Sequence, residues 1–342
     1  MLNPAGSLRE IAPGVYAYLQ SGGWGLSNAG LIVDGGQSLL IDSLYDVPLT
    51  RRMLQTMRAV EPAADRIDAL VNTHANGDHC WGNQAVGAER IISSRATLEE
   101  MRELPPRLMA TLVRAARLTA RTAPVSKRLL RLLGRVGIAH AAAFADAAEF
   151  AVSAFGSFDF DGVRLTLPTQ TFEGRMTLNV GDKAVELIEV GPAHTKGDVI
   201  VHVPHARIAF TGDILFIGSH PIIWEGPVQN WIDACDRLLA LDVDVIVPGH
   251  GPITDKRGVQ RTKDYWQRIV EVARDGAASG AAVEDLAHQV LASGYAEWSE
   301  ASRVVANVAT VARQLSGNSR HPHPVFALAS MGRFERELKK RQ

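Results

Sequence analysis

Histidine and aspartate recur at one kind of place in this sequence, just after short apolar runs. SLLID closes on Asp42, DALVNTH on His74, RIAFTGD on Asp213 and VDVIVPGH on His250, while VELIEVGPAH reaches His194 through a short turn. Runs of this length, rich in β-branched residues, predict strands. Five strands would then each deliver an imidazole or a carboxylate to one edge of the sheets. Ligands at strand ends and in the loops that follow converge from distant parts of a chain while rigid elements hold each of them, which is what a metal centre requires. The densest group is His74-Ala-Asn-Gly-Asp78-His79, two imidazoles and a carboxylate in one short run, with Gly77 admitting a tight turn between them.

These residues carry a resemblance. THANGDH resembles the HxHxDH signature of the metallo-β-lactamase superfamily, and Asp42 after its strand, His194 in GPAHTKGD, Asp213 in FTGD and His250 in VPGHGP follow in the family's order, from about Val15 to Thr254. The resemblance implies an α/β fold, the αββα sandwich of two mixed sheets with helices outside. It also implies a metal-dependent hydrolase, in which His74, His194 and the amide of Asn76 serve a first metal position and Asp78, His79 and His250 a second, with Asp213 bridging. Asp42 supports the metal loop from behind without binding metal. Asn76 stands where the family has its second histidine. A neutral amide oxygen is a poorer donor to zinc than an imidazole, so the second position is expected to hold one Zn2+ tightly and the first to fill weakly or not at all, with Fe or Mn as alternative metals.

A bound divalent cation lowers the pKa of water from 15.7 to about 7, so the expected nucleophile is a metal-bound hydroxide, with Asp78 orienting it or taking its proton. The expected substrate is a small-molecule ester, thioester, lactone or amide. Some superfamily members bind iron and oxidise thiols or persulfides, but they rely on both imidazoles of the HxH pair, so oxidation ranks behind hydrolysis. A non-catalytic metal-binding or interaction module is the other alternative, and the retained Asp78, His79, Asp213 and His250 argue against it.

Around this set, Trp24 in SGGWG, Lys196 and His220 are candidate substrate contacts: Trp24 because the family's corresponding connection overhangs the pocket, Lys196 as a cation for an anionic group, and His220 because it follows the Asp213 strand. Trp24 and Lys196 also have plainer readings, as a hairpin tip and a solvated turn lysine. Cys80 and Cys235 read as packing thiols, Trp224 and Trp231 as core, and His140, His202 and His205 as surface or core residues.

The elements that must hold these residues fall into three textures. Strand-like runs at Val15 to Leu19, Gly30 to Val33, Ser38 to Asp42 and Ile67 to Thr73 surround a helix predicted over Pro48 to Val60. From residue 95 to 151 β signals vanish, and Leu129, Leu132, Leu133 and Val136 recur at helical spacing. Strands are predicted again at Val163 to Leu167, Thr177 to Val180, Ala184 to Val190, Val199 to Val203, Ile208 to Thr211 and Val243 to Val247, with a helix over Trp231 to Leu241. Beyond Pro252 the pattern is helical, over Val259 to Arg274, Ala282 to Ala292 and Ser299 to Leu315, ending in either a solvated tail or a last packed helix. The expected organisation is a catalytic domain over 1–254, with 95–151 as a helical insertion or lid, and a helical extension over 255–342 packed on it.

Composition sets the outer limits. With 342 residues, 46% hydrophobic and 21% charged, the chain can bury a sizeable core, and 36 basic against 37 acidic residues exclude the chain-wide basic field of a nucleic-acid binder. Two cysteines make no disulfide framework, and neither a signal-like N-terminus nor a membrane-length apolar stretch is seen, so a cytoplasmic protein is expected. One local charge signal stands out: Arg107, Arg114, Arg117, Arg121, Lys127, Arg128, Arg131 and Arg135 occur with no acidic residue among them. It reads as a lid attracting an anionic substrate or a membrane surface, or as a solvated face balanced elsewhere. The oligomeric state stays open, a homo-oligomer included.

Overall fold

Alternation organises the strands. Val199, Val201 and Val203 point one way from their strand and Leu39 and Ile41 from theirs, and all five are buried in one core cluster with Val15, Ile32, Val71, Ile92, Val185, Leu187, Phe210 and Val247. In a computed structural model that describes residues 6–103, 106–121, 139–317 and 324–341, these side chains interleave between two sheets. Each aliphatic so buried contributes roughly 1.5–3 kcal/mol, which makes this layer the main source of the fold's stability.

The first sheet has seven strands in chain order: β1 (Ser7–Ala12), β2 (Val15–Leu19), β3 (Ala29–Asp34), β4 (Gln37–Ile41), β5 (Ala69–Val71), β6 (Arg90–Ser94) and β7 (Gln170–Phe172). Pairing is antiparallel from β1 to β4 and parallel from β4 to β7. The second sheet runs β12 (Val245–Val247), β11 (Ile208–Phe210), β10 (Val199–Val203), β9 (Lys183–Glu189) and β8 (Arg175–Val180). It is antiparallel except for the parallel β11–β12 pair. Both sheets are mixed, as expected for the αββα class.

Helix α1 (Val47–Val60) starts where Asp46 accepts a hydrogen bond from the Leu49 amide at 2.8 Å, with a proline in the first turn, and it buries Leu49, Met53, Leu54 and Met57. Two short helices follow, α2 (Gly77–Cys80) and α3 (Asn83–Val86), then α4 (Arg95–Glu103), α5 (Pro106–Arg121), α6 (Ala139–Phe155), α7 (Val228–Ala240), α8 (Lys256–Ser279), α9 (Val283–Val290), α10 (Arg303–Leu315) and α11 (Pro324–Arg341). The chain divides into two compact units, Met1–Pro106 with Asp159–Gln267, and Arg107–Phe158 with Arg268–Gln342. All twelve strands among the described residues lie in the first. In the second, α11 is a packed helix that buries Ala329, Met331 and Phe334, with Ala329 against Ala143 and Ala147 of α6. No helix among the described residues is long and apolar enough to cross a membrane.

Four differences from the sequence reading have local causes. Val163 to Leu167 is not a strand: the Thr166 carbonyl accepts from the Asn83 side chain and the Arg164 amide donates to Gln84, so its backbone bonds go to α3 and not to a neighbouring strand. β1 reads Ser-Leu-Arg-Glu-Ile-Ala, with two adjacent charges breaking the alternation and no residue fully buried, and β7 has three residues, so neither gave a periodic signal. The strand expected over Ile67 to Thr73 shrinks to Ala69–Val71, and beyond it the Thr73 amide leaves the ladder to donate to the Asp42 carboxylate. Leu129, Leu132, Leu133, Val136 and the basic residues Lys127, Arg128, Arg131 and Arg135 lie outside the described residues; Arg107, Arg114 and Arg117 are exposed on α5.

Candidate metal centre

Asp42 is the residue directly after β4, and it sits in the left-handed region at φ 61°. For a buried non-glycine residue this costs free energy, and three hydrogen bonds offset it. Its carboxylate accepts from the Thr73 amide (2.7 Å), the Thr73 hydroxyl (2.7 Å) and His79 Nδ1 (2.8 Å). Because the Thr73 hydroxyl donates to Asp42, it accepts from His74 Nδ1 at 3.0 Å.

The other two imidazoles are tied in the same sense. His194 Nδ1 lies 2.7 Å from the Ile222 carbonyl and His250 Nδ1 lies 3.1 Å from the Leu26 carbonyl, both pure acceptors. An acceptor at Nδ1 fixes the proton there and turns the Nε2 lone pair to the opposite side of the ring. All four Nε2 atoms face Asp213 or its immediate neighbours: His79 at 3.0 Å, His194 at 3.2 Å, His250 at 3.3 Å and His74 at 3.7 Å from its carboxylate oxygens. Asp78 Oδ2 is 3.3 Å from His250 Nε2 and 4.0 Å from His79 Nε2.

Lone pairs aimed at a buried carboxylate are a poor arrangement unless a cation or protons lie between them. His74 Nε2, His79 Nε2 and Asp213 Oδ1 are buried and have no hydrogen-bond partner. Two donor groups, His74–His79–Asp213 and Asp78–His79–His250, each have their ligand atoms within 4.8 Å of one another. The nitrogen and oxygen donors, their orphaned state and their spacing fit a divalent metal. In the metal-free chain protons take that place. Burial disfavours a charged His250, but Asp213 and Asp78 outweigh it and lift its pKa to about 9. Burial likewise opposes an ionised Asp213, yet His250, His79 and His74 hold it well below the carboxylate range. Burial, reinforced by the charge of His79, pushes His74 well below the ordinary imidazole value.

Asn76 does something that the spacing of its motif could not reveal. Its Nδ2 lies 2.8 Å from His194 Nε2, so the amide faces the ring edge that the resemblance assigns to metal. One donor group, Asp78–His79–His250, consists of the residues that the resemblance assigns to the second position; His79 also joins His74 and Asp213 in the other, and His194 lies 3.2 Å from Asp213.

Aromatic rings brace the imidazoles. Phe216 stacks on His250 with centroids 4.8 Å apart and planes at 8°, and meets His194 edge-on at 5.8 Å; Trp231 meets His194 edge-on at 5.6 Å and donates from Nε1 to the Ile214 carbonyl. Gly249, just before His250, approaches the centre so closely that a Cβ there would lie 2.0 Å from Asp213 Oδ1. The connection between β2 and β3 is tied to both sides of the centre: the Ser27 hydroxyl donates to the Asp78 carbonyl (2.5 Å) and the Asn28 amide nitrogen to the Pro248 (2.9 Å) and Gly251 (2.8 Å) carbonyls. Trp24 lies half-buried in that connection.

The remaining candidates have partners within the protein. The Lys196 ammonium pairs with both oxygens of Glu103, at 2.6 and 2.9 Å. His220 is buried, with Nδ1 3.4 Å from the Tyr265 hydroxyl. Cys80 donates to the Ala75 and Asn76 carbonyls, and burial pushes its thiol well up; burial takes the Cys235 thiol to about 12. His202 is buried beside Glu186, His205 is exposed and Trp224 is half-buried. Sequence reasoning missed Thr73, Phe216 and the carbonyls of Leu26 and Ile222. Of these only Thr73, adjacent to His74, carried a signal.

Known proteins resemble this chain in sequence and in fold. Residues 22–250 match the family model described as Metallo-beta-lactamase superfamily. A 2,4-dinitroanisole O-demethylase subunit alpha from Nocardioides sp. is 29% identical over 35% of this chain and 37% of its own length. An acyl-coenzyme A thioesterase from Bos taurus is 28% identical over 26% of this chain and 33% of its own. The match thus spans about a third of the length of each of these relatives. Among solved structures, the stereoselective inverting sec-alkylsulfatase from Pseudomonas sp. superposes on 90% of this chain and 50% of its own with a TM-score of 0.61 at 15% identity, a likeness of fold.

Proposed function

The chain belongs to the metallo-β-lactamase superfamily, and from that premise we propose that it is an enzyme, a metal-dependent hydrolase of a small-molecule ester, thioester, lactone or amide. The observation that carries this reading is the set of four imidazoles whose Nδ1 atoms face oxygens and whose Nε2 atoms face Asp213. Asp78, His79, Asp213 and His250 would hold one Zn2+ tightly, since two carboxylates neutralise a divalent cation and two imidazoles complete four protein ligands. His74 and His194 would serve a weaker position, with Asn76 in place of the family's second histidine. Residues 1–254 would carry the catalytic machinery.

When bound, the metal supplies Lewis acidity, polarising the scissile group and lowering the pKa of water. The chain's own residues prepare the rest. Asp42 and Thr73 hold the His79 and His74 rings in one tautomer, and Phe216 and Trp231 restrict the rotation of His250 and His194. Asp78 is the more accessible carboxylate, 13% exposed against 3% for Asp213, so its Oδ2 is placed to accept a hydrogen bond from an attacking water and orient it. Trp24, half-buried in the connection tied to both sides of the centre, is the best placed of the three candidate substrate contacts.

The test is metal analysis of the purified chain together with a panel of chromogenic esters, thioesters, lactones and amides. A sulfate ester and an aryl methyl ether join the panel because an alkylsulfatase and an O-demethylase subunit are among the similar proteins. Close to one tightly held divalent metal per chain is expected, with turnover of at least one substrate that chelation abolishes and Zn2+ restores. His250→Ala should lose both metal and turnover; full activity in that variant refutes the reading.

A further inference from the structure

Four residues spaced three apart along the start and length of α4 make hydrogen bonds to one short turn, the one that carries His194. Ser94 and Thr97 both donate from their hydroxyls to the Gly197 carbonyl at 2.8 Å, the Glu100 carboxylate accepts from the Lys196 amide at 2.9 Å, and the Glu103 carboxylate holds the Lys196 ammonium. Residues three apart on a helix form one ridge, so the pattern follows from helical geometry once the turn lies against it. The fit is close: a Cβ on Gly197 would lie 2.3 Å from Ser94 Oγ. Ser94 also accepts from the Thr97 amide at 3.1 Å, which anchors the ridge at the end of β6.

The turn is otherwise braced from within. The Asp198 carboxylate accepts from the Ala193 amide, the Thr195 amide and the Thr195 hydroxyl, so residues 193–198 form one stiff loop. A loop stiff within itself still needs something to fix where it sits, and the α4 ridge is one of its outside supports. Others are the Val190 and Gly191 amides, which donate to the Asp198 carbonyl, and the chain at Ile222 to Gly226, which meets His194 and Ala193 through the Trp224, Glu225 and Gly226 amides and the Ile222 carbonyl.

We infer that Glu100 is a positioning residue, which through the Lys196 amide and the ridge it belongs to sets where His194 Nε2 stands relative to Asp213. This rests on the metal-hydrolase reading for its functional meaning, while the placement of the turn stands without it. The four rungs are unequal. Glu100 is 7% exposed, whereas Glu103 and Lys196 pair near solvent, where an ion pair contributes little.

The test compares Glu100→Ala, Glu100→Gln and Glu103→Gln in the full chain. It reads Zn2+ affinity by competition with a chromogenic chelator, kcat and KM separately, and amide exchange of the segment 193–198 without metal. Loss of an outer-shell partner typically costs 10–100-fold in metal affinity or activity. Glu100→Ala should therefore weaken Zn2+ binding and lower kcat by about that factor, with KM changed less than about threefold and exchange accelerated. Glu100→Gln keeps an acceptor oxygen and should stay within about threefold of the parent in Zn2+ affinity, kcat and KM without faster exchange, and Glu103→Gln, which weakens only the exposed pair, should stay within about threefold in every readout. Parental affinity, kcat and exchange in Glu100→Ala overturn the inference, and so does a Glu100→Gln variant that falls as far as the alanine. If Glu100→Ala does not fold, Thr97→Val removes one bond to Gly197 and should accelerate exchange in the same segment; unchanged exchange there is equally decisive. If the parent binds no Zn2+, the metal reading fails, and the exchange data still decide the positioning claim.

Discussion

Replacing Glu100 by glutamine should stabilise this protein at alkaline pH and not at acidic pH. Burial is the main reason why the Glu100 carboxyl ionises near pH 7 where 4.5 is ordinary, with the Asp198 charge adding to the rise and the Lys196 amide opposing it. Between those two values the folded chain keeps a proton that the unfolded chain has released. Stability therefore falls as pH rises from about 4.5 through 7, and the whole penalty is in place above that range. A gap of about 2.5 pH units at 1.36 kcal/mol per unit sets the penalty at about 3 kcal/mol. Glutamine occupies nearly the same volume, keeps an acceptor for the Lys196 amide and does not titrate. The assay is urea denaturation of parent and Glu100→Gln at pH 5, 6, 7 and 8 with chelator present, so that both are metal-free and the protonation of the histidine cluster cancels in the difference. The advantage of the variant should grow by about 2–3 kcal/mol from pH 5 to pH 8. A difference that is flat across pH, or that shrinks as pH rises, would refute the assignment of a raised pKa to this carboxyl.

Two further outcomes follow from the same geometry. Asp42→Asn keeps a residue type that tolerates the left-handed backbone but removes the charge facing His79 Nδ1, so Zn2+ affinity should fall about 10–100-fold while far-UV circular dichroism is preserved; unchanged affinity would show that Asp42 does not tune the imidazole. Asn76→His should raise the tightly bound metal from about one toward two equivalents in a competition titration, by adding an imidazole beside His194, and a stoichiometry that does not change would mean that Asn76 is not what limits the first position.

Much of this centre could be read from sequence because its residues follow strands. β-branched alternation locates a strand, and a strand end locates whatever comes next: Asp42 follows Ile41, and His74 stands three residues past Val71. The direction in which a ring points was not legible in that way. That Leu26 and Ile222 present carbonyls to His250 and His194 depends on the path of loops whose residues carry no periodic signal. Asn76 shows the limit well. Its place in the motif suggested a weak ligand, and which atom its amide meets, His194 Nε2, is set by a turn 118 residues away. Lys196 read as a free cation because sequence does not show that Glu103 sits opposite it. Val163 to Leu167 misled for the reverse reason: its apolar residues are real, but its hydrogen bonds go to side chains.

Gly197 and Gly249 bear on how this protein can change over time. Each stands where a β-carbon would overlap an oxygen of the site's own machinery, Ser94 Oγ in one case and Asp213 Oδ1 in the other. Every other amino acid carries that carbon, so no single codon change offers an intermediate step at either position, however conservative the side chain. Accommodation would require the opposing oxygen to move, and both oxygens are committed elsewhere, one to the Gly197 carbonyl and one to the imidazole cluster. In a saturation library screened for turnover, these two positions should return glycine alone, while Trp24 and other candidate substrate contacts tolerate variety. Change at Trp24 leaves the space beside Asp213 and Ser94 empty, whereas any change at Gly249 or Gly197 fills it.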